Sequence, residues 1–298
     1  MPHIEEYSNY LSLEKKYSKH TVLAYVKDVE EFIVFCETEN LSSDIDKIAY
    51  VVVRSWLVKM SEHGLSNRSI NRKIASLKSY YKFLLKIRVI EVSPLLKHKA
   101  LKNPKKVQVP FSVKEMNDVF ELVGYKDDFE GKRDRLIIEL FYSTGIRKAE
   151  LIALKFSDIF LDERVIKVLG KRNKERLIPI TQSLVDVFSE YLSCRKNVIF
   201  PESNDFVFVT KKGSKIYDTL VYRIINSYFS IVSSKLKKSP HVLRHTFATH
   251  LLNEGADLNA VKELLGHTSL AATQVYTHNS MAKLKDVYRN THPRNRQD

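Results

Sequence analysis

The stretch "SNRSINRKIASLKSYYKFLLK", residues 66–86, decides how the first third of the chain is read. Ile70, Ile74, Leu77, Tyr81 and Leu84 recur every three or four residues and make one apolar stripe, the spacing of an amphipathic helix. Arg68, Arg72, Lys82 and Lys86 fall on the opposite face, and the segment contains no acid. A merely solvated face usually mixes acids with bases. A helix dry on one side and cationic on the other suits a DNA major groove, which admits an α-helix.

Upstream, the pattern is helical throughout. "SKHTVLAYVKDVEEFIVFCE" (18–37) spaces Val22, Tyr25, Val29, Phe32, Ile33 and Cys36 at helical intervals. "DKIAYVVVRSWLVKMSEHG" (46–64) continues with Val52, Trp56 and Met60 and stops at Gly64. Downstream, "SPLLKHKALKNPKKVQVP" (93–110) carries three prolines and five lysines, Lys105 and Lys106 among them, with little periodicity. It reads as an extended basic linker between two domains. "FSVKEMNDVFELV" then offers Ser112 as an N-cap with Glu115 three residues on, so a second domain starts near 111. The expected division is therefore 1–92, linker 93–110, and 111–298.

The second domain reads as mostly helical with one small sheet. "RVIKVLGKRNKERLIPI" (164–180) is a hairpin signal, two β-rich segments about a polar turn. Helical periodicity returns at 181–194 and from about 217. Strands and helices do not alternate, and no Gly-rich phosphate loop occurs, so neither a doubly wound fold nor a bound nucleotide is expected.

Charge sharpens the reading. The 298 residues carry a formal +14. Residues 63–110 hold twelve Lys/Arg against the single acid Glu91, while 1–62 are net acidic. Charge so concentrated points to a polyanionic partner; solubilising lysines are the alternative for the part beyond Ser93. No apolar run approaches the roughly 20 residues of a membrane span. Acidic residues stand where a secretory signal would place lysines. Cys36 and Cys194 fit no disulfide or metal spacing and read as reduced core thiols. A cytoplasmic, nucleoid-associated protein follows as the expectation.

Four segments offer groups suited to a phosphate. "STGIRKAELIAL" puts Arg147 behind a Thr144–Gly145 turn, with Glu150 one turn later. "VLGKRNKER" sets Lys171 at the hairpin tip. "PHVLRHTFATH" (240–250) places His241 and Arg244 one turn apart on one helix face. "LLGHTSLAATQVYTH" follows Gly266 with His267 and reaches Tyr276. Taken singly each is weak; an Arg near a Glu is usually a surface pair.

In this order and spacing the set resembles the tyrosine recombinase (phage integrase) family, whose pattern is Arg, Lys, His-x-x-Arg, His or Trp, and Tyr. "TGIRKAEL", "GKRNKERLIPI", "HVLRHTFATHLL", "LGHTSLAATQVYTH" and "RSINRKIASLKSYYKFLL" all look like family motifs. The likeness spans essentially the full chain and is closest to the simple Xer-type members, no arm-binding domain preceding the first helices. It implies a mainly α (α+β) protein: an N-terminal four-helix-type core-binding domain and a mostly helical catalytic domain with a small antiparallel sheet, together clamping DNA. It implies Arg147, Lys171, His241, Arg244, His267 and the nucleophile Tyr276 as the catalytic set, with Glu150 supporting an arginine. Arg68, Arg72, Lys82, Lys86, Lys105 and Lys106 are the expected DNA contacts. His245 and His250 have no family role and read as packing or supporting residues.

The implied chemistry is a 3′-phosphotyrosyl intermediate with a free 5′-hydroxyl leaving, Lys171 acting as general acid. Guanidiniums stay charged at any relevant pH and can hold the non-bridging oxygens with paired donors. No carboxylate cluster of the two-metal kind appears, and neither metal, nucleotide nor other cofactor is implied. The partners implied are duplex DNA with paired inverted half-sites, a homo- or hetero-tetramer resolving a Holliday junction, a paralogous recombinase, and an FtsK-type translocase. Chromosome or plasmid dimer resolution and mobile-element integration or excision are all compatible roles. Met281, Leu284, Val287 and Tyr288 form an apolar stripe that docks either on a neighbouring subunit or on its own domain. A type IB topoisomerase and an accessory protein with a decayed site are the other readings.

Overall fold

The computed structural model describes residues 3–41, 44–104, 108–170, 175–198, 205–266, 287–288 and 290–295. The chain divides into two compact units, Met1–Lys106 and Val107–Asp298.

The described residues of the first unit form four α-helices: α1 (Ile4–Asn9), continued by a π-helical turn to Glu14, α2 (Lys19–Thr38), α3 (Tyr50–Glu62) and α4 (Asn67–Lys86). The apolar stripe read from the sequence is the buried one: Ile70, Ile74, Leu77, Tyr81 and Leu84 sit in one core with Val29, Phe32, Val53 and Trp56. Each such side chain contributes on the order of 2 kcal/mol of burial. Ser18 and Ser66 cap α2 and α4 by accepting from the amides of Thr21 and Ser69. Gly64 ends α3 in the left-handed region at φ +76°, and the amide of Leu65 reaches back to the carbonyl of Met60 at 3.1 Å.

The linker expectation needs correction over residues 93–104. Leu95 is buried in the first unit's core. The Asn71 side chain pairs with both backbone groups of Leu101, accepting from its amide at 2.9 Å and donating to its carbonyl at 2.8 Å. Asn67 and Lys78 donate to the carbonyls of Lys102 and His98. Side chains of α4 thus take up backbone groups of His98, Leu101 and Lys102. Lys105 and Lys106 lie outside the described residues.

The second unit begins with α5 (Val113–Glu121), where the Ser112–Glu115 capping box forms in both directions. It is organised around α6 (Phe129–Thr144), whose residues from Leu136 to Thr144 are all buried, packed against α8 (Gln182–Arg195) and α10 (Pro240–Asn253). A helix buried on every side over this length can only be central. Between α7 (Lys148–Ala153) and α8 lies a three-stranded antiparallel sheet of β1 (Ile159–Phe160), β2 (Val165–Leu169) and β3 (Glu175–Pro179). Its β2–β3 register pairs Leu169 with Glu175 and Val165 with Pro179, the hairpin anticipated from 164–180. α9 (Asp218–Val232) and α11 (Leu258–Leu265) complete the helical layer.

His250 is buried and clamps the start of this unit. Its Nε2 donates to the Phe111 carbonyl at 2.9 Å, and its Nδ1 accepts from the Tyr142 hydroxyl at 3.0 Å. His245, in contrast, is exposed, so the packing role expected for it does not hold. Cys36 is a buried free thiol, whereas Cys194 is only partly buried. Tyr288 is buried in its own unit beside Phe247 and Leu251, its hydroxyl donating to the Ser143 carbonyl at 2.7 Å. Met281 and Leu284 lie outside the described residues.

Candidate active site and nucleic-acid interface

Local structure delivers Arg147. α6 ends on Gly145, left-handed at φ +59°. A Cβ there would fall 2.5 Å from Phe247 and 2.8 Å from Leu265, so both backbone hand and space require glycine. The turn buries Ile146 and leaves Arg147 as the N-cap of α7. Glu150, one turn into α7, accepts from the Arg147 amide at 2.8 Å and from its guanidinium at 2.7 Å.

The same carboxylate takes a second guanidinium end-on. Arg176 on β3 donates to both Glu150 oxygens at 2.9 and 2.8 Å, and its Nε donates to the Leu264 carbonyl at 2.9 Å. Arg147 also reaches the Gly266 carbonyl at 2.9 Å. Arg244 on α10 donates to the carbonyls of Gly145 and Leu265. Three guanidiniums thus cap the carboxyl end of α11, where orphan carbonyls and the helix dipole favour cations. Against the single carboxylate they leave the cluster two charges positive.

Burial alone would raise the Glu150 carboxyl. The hydrogen bonds and charge of Arg176, followed by those of Arg147, instead hold it at about 2. Burial, then the charges of Arg147 and Arg176, pulls the Arg244 guanidinium down to about 9, still charged at neutral pH. Because the Glu150 carboxyl is lower in the folded chain than its ordinary 4.5, its stabilisation is complete above pH 4.5 and drains away as pH falls toward 2. The contribution is on the order of 3 kcal/mol. Urea titrations should therefore show wild type more stable than Glu150→Gln by that order at pH 5, with the gap closing near pH 2. A gap independent of pH contradicts the assignment.

Of the expected catalytic set, the structure brings Arg147 and Arg244 into one cluster with the expected supporting carboxylate, Glu150. The Arg147 side chain is 30% exposed, so it keeps an open face; Arg244 is buried. His241 is exposed on α10, one turn before Arg244. Lys171, between β2 and β3, and His267 and Tyr276, which follow Gly266, lie outside the described residues. Arg176 was not singled out from the sequence. Its signal is the alternation of "ERLIP", where positions 176 and 178 both face inward on β3: an arginine at an inward strand position needs a buried acid.

In the first unit, Arg68, Arg72, Lys82 and Lys86 do share the exposed side of α4, but that face is less cationic than the segment alone indicates. Arg72 pairs end-on with Asp28 of α2 at 2.5 and 2.9 Å, and Lys86 pairs with Glu14. The neutralising acids come from other helices, which periodicity within one segment cannot reveal. Among the described residues no ion pair engages Arg68 or Lys82. No described helix is long and apolar enough to cross a membrane.

Comparison with known proteins gives concordant matches. The family described as "Phage integrase family" matches residues 111–283, and "Phage integrase, N-terminal SAM-like domain" matches 4–87. The chain is 36% identical to tyrosine recombinase XerC of Bacillus subtilis, over 98% of this chain and 96% of that one. It is 38% identical to tyrosine recombinase XerC of Leptospira interrogans, over 97% and 92%. Among solved structures, the XerH site-specific recombinase bound to palindromic difH substrate shares the fold with a TM-score of 0.70 at 23% identity. That alignment covers 92% of this chain and 81% of that one. The Tn1549 transposon integrase in complex with circular intermediate DNA matches with a TM-score of 0.70 at 22% identity, over 95% and 98%.

Proposed function

Since this chain belongs to the phage integrase family and is a tyrosine site-specific recombinase, we propose the following division of labour among its residues. Arg147 and Arg244 hold the non-bridging oxygens of the scissile phosphate, where negative charge grows as the phosphorus is attacked. Tyr276 attacks; its free pKa near 10 means it needs a cationic pocket or a neighbouring base to react at pH 7. His241 and His267 donate to the same oxygens. Lys171 protonates the departing 5′-oxygen. Glu150, gripped by Arg176, keeps Arg147 aimed. Resealing is the reverse attack, and the covalent link conserves the bond energy.

The observation that supports this reading best is the net-positive guanidinium cluster around Glu150, assembled from three separate segments at the carboxyl end of α11. Charge held there before substrate arrives costs no reorganisation during reaction. The first unit supplies DNA affinity through the exposed side of α4, with Lys105 and Lys106 as further phosphate contacts. Exchange uses two duplexes with inverted half-sites and four protomers, either four copies of this chain or copies alternating with a paralogue. Activation by an FtsK-type translocase and action at the nucleoid belong to the same reading.

The test separates recombination from unspecific swivelling. A pool of random duplexes is selected for binding by the full-length chain, and the selected site is placed on two plasmids. The reading predicts strand exchange between plasmids that carry the site and no relaxation of a supercoiled plasmid that lacks it. Efficient relaxation without the site indicates a topoisomerase instead.

A further inference from the structure

Asp28 on α2 is 2% exposed, and its carboxylate is saturated. It accepts Nη1 and Nη2 of Arg72, the Ser76 hydroxyl at 2.7 Å and the Lys73 ammonium at 3.3 Å. Lys73 is in turn paired with Glu31. Two acids and two bases therefore cancel at this spot, and it adds nothing to long-range attraction for a polyanion.

What remains is direction. An end-on pair uses one hydrogen from each terminal nitrogen, leaving the Nε edge and the outer hydrogens of the fork unused. The Arg72 side chain is half exposed, and the plane of its guanidinium is held by a buried carboxylate. A long, flexible side chain has been reduced to a fixed, charge-neutral pair of donors. Such a group attracts phosphate poorly but discriminates acceptor patterns well. Arg68 and Lys82, without acidic partners among the described residues, are the opposite: mobile point charges suited to the backbone. Ala75 and Ser79 follow Arg72 at i+3 and i+7 on the same face, and both are small, so the helix can approach a groove floor closely beside it.

Resting on the reading of the first unit as a DNA-binding domain, we infer that Arg72 is a specificity-determining residue that reads the O6/N7 edge of one guanine in the recombination half-site, and that Asp28 is its positioning residue. A bidentate arginine–guanine contact discriminates against the wrong base by roughly ten- to a hundredfold in affinity.

The experiment uses the full-length chain and a duplex selected from a random pool, together with every single-base-pair variant of that duplex. Wild type should show one G·C pair whose replacement weakens binding by that factor. Arg72→Lys keeps the charge but loses the fork; it should flatten discrimination at that pair alone, with the salt slope unchanged. Asp28→Asn should flatten the same pair and have no further effect on DNA binding in the Arg72→Lys background. If Asp28→Asn does not fold, Arg72→Lys decides alone, because that side chain is half exposed. Unchanged discrimination in Arg72→Lys overturns the inference. So does uniform weakening across all sequences, with the slope of log affinity against log salt reduced by about one phosphate's worth. A wild-type chain that selects no duplex overturns the underlying reading, a result distinguishable from either.

Discussion

Tyr276→Phe binds the selected duplex with wild-type affinity and forms no covalent protein–DNA adduct, even on a duplex nicked so that the cleaved fragment diffuses away. The change removes one oxygen, the only atom of the side chain able to attack phosphorus. The apolar ring is retained, so fold and DNA contacts persist. A water molecule attacking in its place would release the strand and leave no protein on it. The measurement is the fraction of labelled DNA that migrates with protein after denaturation, read beside a binding isotherm for the same preparation. Wild-type adduct levels in the variant assign the nucleophile elsewhere.

Arg244→Ala should cut single-turnover cleavage by on the order of a hundred- to a thousandfold and lower stability at the same time. Two effects are expected because the buried guanidinium does two things. It contributes a permanent charge to the cluster that also holds Arg147 and Arg176. It also donates to the carbonyls of Gly145 and Leu265, which close α6 and α11. Losing these donors leaves polar groups unsatisfied at two helix ends, costing about 1–3 kcal/mol. Arg244→Lys separates the contributions. It restores a cation but not the fork, and burial pulls an ammonium pKa down more readily than a guanidinium's. It should recover little of the rate. Full recovery by lysine would mean that charge without geometry suffices. A variant with normal rate and lowered stability would confine Arg244 to a structural role.

The parts of the fold written in local spacing were legible in the sequence. The stripe from Ile70 to Leu84 is the buried face of α4, Ser112 with Glu115 does open α5, and the 164–180 hairpin pairs as its β-rich halves indicate. What escaped depends on contacts between distant segments. The docking of residues 93–104 rests on Asn71 replacing water for Leu101, and nothing in the proline- and lysine-rich stretch announces it. Asp28 lies 44 residues from Arg72, so the neutralised fork on α4 is invisible to any reading of that helix alone. His245 has the same local setting as His250 but the opposite burial, because the helix turns one toward Tyr142 and the other to solvent.

The candidate site divides along the same line. The residue types and order around Arg147, Glu150 and Arg244 could be read, and the cluster they form follows from the turn at Gly145. Arg176 was missed: its inward position on β3 signals a buried acid, but not that the acid is the carboxylate Arg147 already occupies.

The central claim is that a tyrosine hydroxyl of this chain is joined to a DNA 3′-phosphate in a pocket of cationic side chains. It is tested most directly by trapping the wild-type adduct on a nicked duplex in the presence of EDTA, trimming it with nuclease and protease, and locating the modified residue by mass spectrometry. The account predicts a nucleotide linked through its 3′-phosphate to Tyr276. Linkage to a different residue, or through a 5′-phosphate, would contradict it.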